Sequence, residues 1–178
     1  MTGLISAYTA LAARLEAADW VIPTLARFLF AAVLLVYFLT SGMTKLGDGV
    51  VGLWTPTAGA YAQIFPKAFA AVGYDSTALT LFHRLVVVGG TLAEFILPCL
   101  IILGLLTRLT ALGMIGFVAV QSLTDVYGHA QGQALGAWFD RFPDAIILDQ
   151  RALWTFLLIV LVVKGAGPIS VDRVLRPR

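Results

Sequence analysis

Charge is what this sequence has least of. Of 178 residues, 12% are Asp, Glu, Lys or Arg, against 60% hydrophobic. A soluble domain is typically about half apolar and roughly a quarter charged. The shortage excludes a globule surrounded by water, and a mean hydropathy of +0.91 identifies an integral membrane protein. The formal net charge is only +2, with no block of basic residues, so nucleic acid is not an expected partner. Cysteine is nearly missing. Cys99 stands alone in an apolar run, which excludes an internal disulfide and a CxxC thiol pair, and it reads as a small buried hydrophobe. There is no Gly-rich phosphate loop, no HExxH and no GxSxG. Two histidines do not supply paired axial ligands at mid-membrane. No haem, flavin or iron–sulfur cluster is therefore expected in this chain. No repeat or low-complexity tract is visible, and no basic n-region precedes an apolar stretch as in a cleavable signal peptide.

What is present is organised by length. A spanning helix needs about 20 mainly apolar residues, and four stretches qualify: roughly Ile22–Lys45, Leu81–Leu106, Leu109–Gly128 and Ala152–Ser170. The expected fold class is all-α, an integral-membrane four-helix bundle over residues 21–178. Residues 1–20 form a separate amphipathic helix, with Leu4, Ile5, Tyr8, Leu11, Ala12 and Leu15 at helical spacing. Such a helix lies along the membrane surface or packs on a partner. The short "TR" link makes the second and third spans antiparallel neighbours. Residues 46–80 are too polar and too broken by Pro56 and Pro66 to span. They read as a short interfacial or re-entrant helix, with Trp54, Tyr61, Phe65 and Phe69 facing lipid or the bundle.

Basic residues orient the chain. Arg14, Arg27, Arg108, Lys164, Arg173, Arg176 and Arg178 fall on one side, and Lys45, Lys67, Arg84, Arg141 and Arg151 on the other. The excess puts both termini inside and both long loops outside. With that orientation the expected location is an inner, cytoplasmic membrane.

Ionisable residues inside spans are costly and usually pair within the bundle. At a rise of 1.5 Å per residue, Arg27 lies about 9 Å and Glu94 about 18 Å from the inner face. Their side chains can close that gap, so Arg27 and Glu94 are expected to pair, either as a structural ion pair or as a proton site. A second group lies near the outer face. Gln121, Asp125 and His129 are spaced four apart on one stripe of the third span. His83 opens the second span, on the same face as Glu94. Three chemistries fit His83, Asp125, His129 and Gln121. They suit a metal site of His83, Asp125 and His129, a quinone head-group and proton site, or solvated interfacial residues. The aromatic 46–80 segment would roof a pocket open to lipid, which favours the quinone.

Three segments together resemble the DoxX family of small bacterial four-helix membrane proteins. They are "RFLFAAVLLVYFLTSGMTKLGDG", "AEFILPCLIILGLLTRLTALG" and "KGAGPISVDRVL". They carry Arg27, Lys45, Glu94, Arg108 and Asp172 in order. The resemblance implies the four-helix bundle and membrane redox work, since some members are subunits of quinone-linked oxidoreductases acting on sulfur compounds. A membrane subunit or accessory of such a system is therefore expected, with quinone as the cofactor and a protein partner, or a homo-oligomer, in membrane lipid. The main electron chemistry would sit in the partner. A non-catalytic anchor or assembly partner and a small metal-handling or transport protein are the alternatives.

Overall fold

A computed structural model describes residues 2–49 and 51–175; the flanking arginines Arg176 and Arg178 lie outside them. Among the described residues there is no strand. Four helices are long and apolar enough to cross a membrane: α2 (Val21–Met43), α5 (Leu81–Leu103), α6 (Thr107–Gly128) and α7 (Ile146–Lys164). The expected four-span bundle is thus found, and the protein is a multi-pass membrane protein. The remaining α-helices are α1 (Thr2–Ala17), α3 (Ala58–Ile64), α4 (Pro66–Ala71) and α8 (Val171–Leu175), with short 3-10 turns at Ser76–Ala78 and Gly132–Leu135.

The last span differs most from expectation. It begins at Ile146 rather than Ala152, in a widened π-turn over Ile146–Gln150. It stops at Lys164, because Gly165 takes a left-handed φ of +81° that ends the helix. The earlier start carries Arg151 inside the span, where it is buried.

The spans meet in a ring, each packing on its chain neighbours and α7 closing on α2. Their shared core is Phe30, Leu34 and Phe38 of α2 with Ile101, Met114, Leu158 and Leu161. Outward residues such as Val33, Leu109 and Phe156 stay exposed, as lipid allows. Cys99 belongs with them: it is exposed, not buried, because the outside of a span is as apolar as its core.

The 46–80 segment folds as two short helices rather than one. Thr57 caps α3 through its hydroxyl, 3.2 Å from the Ala60 N–H, and Pro66 opens α4 at its first position. Tyr61 and Phe69 pack with Val87 beneath them, while Trp54 stays exposed. The pair forms a roof at the loop end of the bundle. At the opposite end, α1 holds its apolar stripe exposed, Leu4, Ile5, Tyr8, Leu11 and Leu15 included. Asp19 ties it down through a 2.8 Å pair with Lys164.

Candidate functional site

Glu94 sits midway along α5, and its partner is Lys45. Both carboxylate oxygens lie 3.0 Å from Lys45 Nζ, with the two side chains only 5% and 6% exposed. Ser41 completes the cluster. Its hydroxyl donates to Glu94 Oε1 at 3.0 Å and accepts from Lys45 Nζ at 2.7 Å. Lys45 lies just past the end of α2, four residues beyond Ser41, so its ammonium turns back onto that last turn and bonds the Ser41 carbonyl too. In α5, Pro98 stands four residues after Glu94 and removes the N–H that would bond the Glu94 carbonyl.

Arg27 therefore does not pair with Glu94, and the expected pairing is corrected. The Arg27 guanidinium reaches the other way, to the end of α5 and the turn that follows α7. Nε donates to the Ile101 carbonyl at 2.9 Å, one terminal nitrogen to Ala166 at 3.0 Å, and further bonds go to Ile169 and Ile102. The last carbonyls of a helix are short of partners within it, and the half-buried Arg27 guanidinium donates to those of Ile101 and Ile102. Asp172 works beside it. Its carboxylate accepts from the Leu106 and Thr107 N–H groups at 2.7 and 2.9 Å, capping the positive start of α6. Gly104, at φ +68°, lets these parts approach. A Cβ there would lie 2.6 Å from Ser170 Cβ and 2.9 Å from Arg27 Cζ. Arg108 similarly donates to the Val162 carbonyl near the end of α7. The residues that carried the family resemblance thus divide into two constellations. Lys45 and Glu94 form a polar centre inside the bundle, while Arg27, Arg108 and Asp172 form a clasp at its terminal end.

The loop-end group only partly converges. Gln121 donates to the Tyr37 hydroxyl at 2.7 Å. Asp125 pairs with Arg151, which also donates to Ser122 Oγ at 2.9 Å. The His129 Nε2 lies 2.9 Å from the Gln63 carbonyl of α3, so this nitrogen carries a proton and ties the roof to α6. The widened turn Thr124–Gly128 shapes this end. Its π-type bond from the His129 N–H to the Thr124 carbonyl is 2.9 Å, and such turns are frequent at functional sites. His83 stands apart. Its Nδ1 is 2.8 Å from Thr80 Oγ1, and its ring packs edge-on against Phe65 with centroids 4.7 Å apart. No group of three or more His, Cys, Asp or Glu among the described residues is placed to hold a metal ion. The metal triad His83, Asp125 and His129 is thereby corrected: the aromatic roof takes His83 and Arg151 takes Asp125.

One cavity of about 510 Å³ joins the two polar groups. Lys45, Glu94 and Ser41 line its deep side, and Gln121, Asp125 and His129 its loop end. Ligand pockets typically run about 300–1,000 Å³, mostly apolar with a few placed polar groups. Its walls fit that description, being largely Val86, Leu97, Phe117, Val120 and glycines. Gln121 adds a specific signal. Its Oε1 is buried without a hydrogen-bond partner among the described residues, although buried polar atoms are nearly always paired. A ligand hydroxyl or amine in the cavity would satisfy it.

Sequence reasoning missed Lys45 as the acid's partner, and it placed Arg151 on the loop side without seeing it as the partner of Asp125. The i, i+4 spacing of Ser41 and Lys45, and of Glu94 and Pro98, was the available signal for the first. For Arg151 it was the apolar "AIIL" just before it, which extends the span.

The family model described as DoxX matches residues 22–124 of the chain. Neither a curated protein nor a solved structure matches it.

Proposed function

The chain belongs to the DoxX family, and on that premise we propose that it is the membrane subunit or accessory of a quinone-linked oxidoreductase system. It holds a quinone head group and handles its protons, while a partner protein carries the main electron chemistry. The observation that supports this reading is the cavity that joins the buried Lys45–Glu94 pair to the unsatisfied Gln121 oxygen. A quinone, when bound, supplies two-electron, two-proton redox chemistry. Everything else in the reading rests on the chain's own groups. Lys45, whose N–H donors go to Ser41 and Glu94, holds the Glu94 carboxylate at the deep side of the cavity. Gln121 Oε1 is the acceptor for a hydroxyl on the reduced form. Glu94, hydrogen-bonded by Ser41 and Lys45, is the group able to take or give a proton at the deep end. Asp125 and His129 line the mouth, where protons exchange with water. The roof of α3 and α4 limits that water.

The reading extends to placement. We take the membrane to be a bacterial inner membrane with both termini cytoplasmic, supported by the greater number of basic residues at the terminal end. A second reading, a membrane anchor for another protein, draws on the exposed stripe of α1. Protein purified gently from its native membrane discriminates the two. The proposal expects close to one quinone per chain by extraction and chromatography, falling sharply in Gln121→Leu with the melting temperature kept. A quinone-free preparation that also fails to bind added quinone, yet retains a soluble partner, supports the anchor and overturns the proposal.

A further inference from the structure

The cavity opens sideways. Gly89 and Gly90 of α5 and Gly113 and Gly116 of α6 all line it, and Gly89, Gly113 and Gly116 are exposed between these two spans. A Cβ built at Gly89 or Gly116 meets nothing within 4 Å. These two glycines therefore border open space, whereas a Cβ at Gly113 or Gly90 would already touch Leu97 or Ile64 at 3.4 and 3.5 Å. The open positions lie at the right depth. By the helical rise, Glu94 and Gly116 each lie about 13 Å from the terminal end of their spans, and Gly89 about 21 Å. The gap thus leads from the hydrocarbon to the level of the buried ion pair, not to the aqueous surface. Glycine costs helix stability relative to alanine, so four of them around one opening carry a cost that close packing does not repay, since two touch no side chain.

Resting on the quinone reading, we infer that the site takes a tailed, lipid-phase ligand. Its chain leaves between α5 and α6 past Gly89 and Gly116, so the ligand enters and departs through the bilayer. The volume agrees. About 510 Å³ accommodates a head group with part of a chain, and a polyprenyl tail of many carbons must continue outside. In this arrangement water comes from the loop end, where His129 bonds the Gln63 carbonyl of the roof. The ring and its protons use that end, while the tail uses the lateral gap.

The test compares two probes on full-length protein in lipid nanodiscs: a dimethoxy-methyl-benzoquinone without a tail, and the same ring with a decyl tail. Gly89→Leu and Gly116→Leu place a side chain into the gap from opposite walls. Leucine suits a helix better than glycine, and a Cβ at either position meets no clash, so each variant is expected to melt no lower than wild type. Each should raise the dissociation constant of the tailed probe by roughly tenfold or more, the loss of about two buried methylenes. The tailless probe should change by less than about threefold. Gly89→Ala and Gly116→Ala should shift the tailed probe only slightly. Unchanged binding of both probes in both leucine variants overturns the lateral gap and leaves the quinone site standing. Equal losses for both probes also overturn it, by making the glycines part of the head-group pocket. Failure of wild type to bind either probe removes the quinone reading itself, and this inference with it.

Discussion

Replacing Glu94 by Gln keeps the shape of the side chain and removes its charge. Lys45 Nζ then loses its only carboxylate partner among the described residues while staying enclosed, since its side chain is 5% exposed. Breaking a buried pair by removing one member costs about 3–5 kcal/mol, mostly because a charge is left uncompensated. For a chain of this size that is a fall in melting temperature on the order of 10 °C. Lys45→Met should cost a similar amount, since it strands the carboxylate with only Ser41 to donate to it. The double variant removes both charges and should recover part of the loss, giving a coupling of about 1 kcal/mol or more. A second cycle sharpens the point. Arg27 bonds the carbonyls of Ile101, Ile102, Ala166 and Ile169, so Arg27→Gln is destabilising on its own account. Combined with Glu94→Gln, it should add within about 0.5 kcal/mol. The assay is thermal or denaturant unfolding of the purified protein in one detergent. Coupling between Arg27 and Glu94, with additivity between Lys45 and Glu94, would refute the assignment of the two constellations.

Other consequences are independent of that pair. Gly104→Ala should lower stability by more than about 1 kcal/mol, because φ is +68° and the new Cβ meets Ser170 and Arg27; a thermal melt matching wild type would contradict it. His129→Ala frees the Gln63 carbonyl, so amide exchange in Ala58–Ile64 should quicken while α5 is unaffected. Asp75 lies in the loop, where hydrogen bonds from the Thr77 hydroxyl and then its backbone N–H hold its carboxyl below the ordinary value. The stabilisation from a depressed carboxylate is present above the unfolded pKa and lost as pH falls through the folded one. Thr77→Val should therefore raise the Asp75 titration point by NMR, and lower stability at neutral pH but not in strong acid. In a Cys99→Ala background, cysteines placed at Ser76 and Gly132 should react with an impermeant thiol reagent on intact cells and one at Val174 should not; the reverse pattern would invert the topology.

The spans were legible because lipid demands long apolar runs, and the break at Pro66 followed from proline chemistry. The presence of a partner for Glu94 was legible too, since an unpaired carboxylate at that depth is costly. Its identity was not. Depth counted along straight, antiparallel helices brings Arg27 within reach but ignores which way a long side chain turns. Arg27 finds the Ile101 and Ile102 carbonyls at the end of α5, where Gly104 stops the helix, and those of Ala166 and Ile169, and these come together only in the folded bundle. Lys45 reads as the closing residue of its span near the outer face, yet its ammonium folds back over the last turn. The stripe of Gln121, Asp125 and His129 was visible at helical spacing, and all three do line the cavity. Arg151 was hidden by the widened turn Ile146–Gln150, which starts α7 earlier in the chain than hydropathy alone places it. The cavity itself, and the opening at Gly89 and Gly116, depend on packing between spans and have no signature in one helix.

The quinone site meets its sharpest check in titration of the nanodisc protein with the decyl-tailed benzoquinone, followed by quenching of tryptophan fluorescence. Trp154 packs on Tyr37, with ring centroids 5.6 Å apart, and Tyr37 lines the cavity. Saturable binding at one site per chain is expected, weakened roughly tenfold, or about 1.4 kcal/mol, by Gln121→Leu. Linear, unsaturable quenching in wild type, or identical binding in the variant, would contradict it.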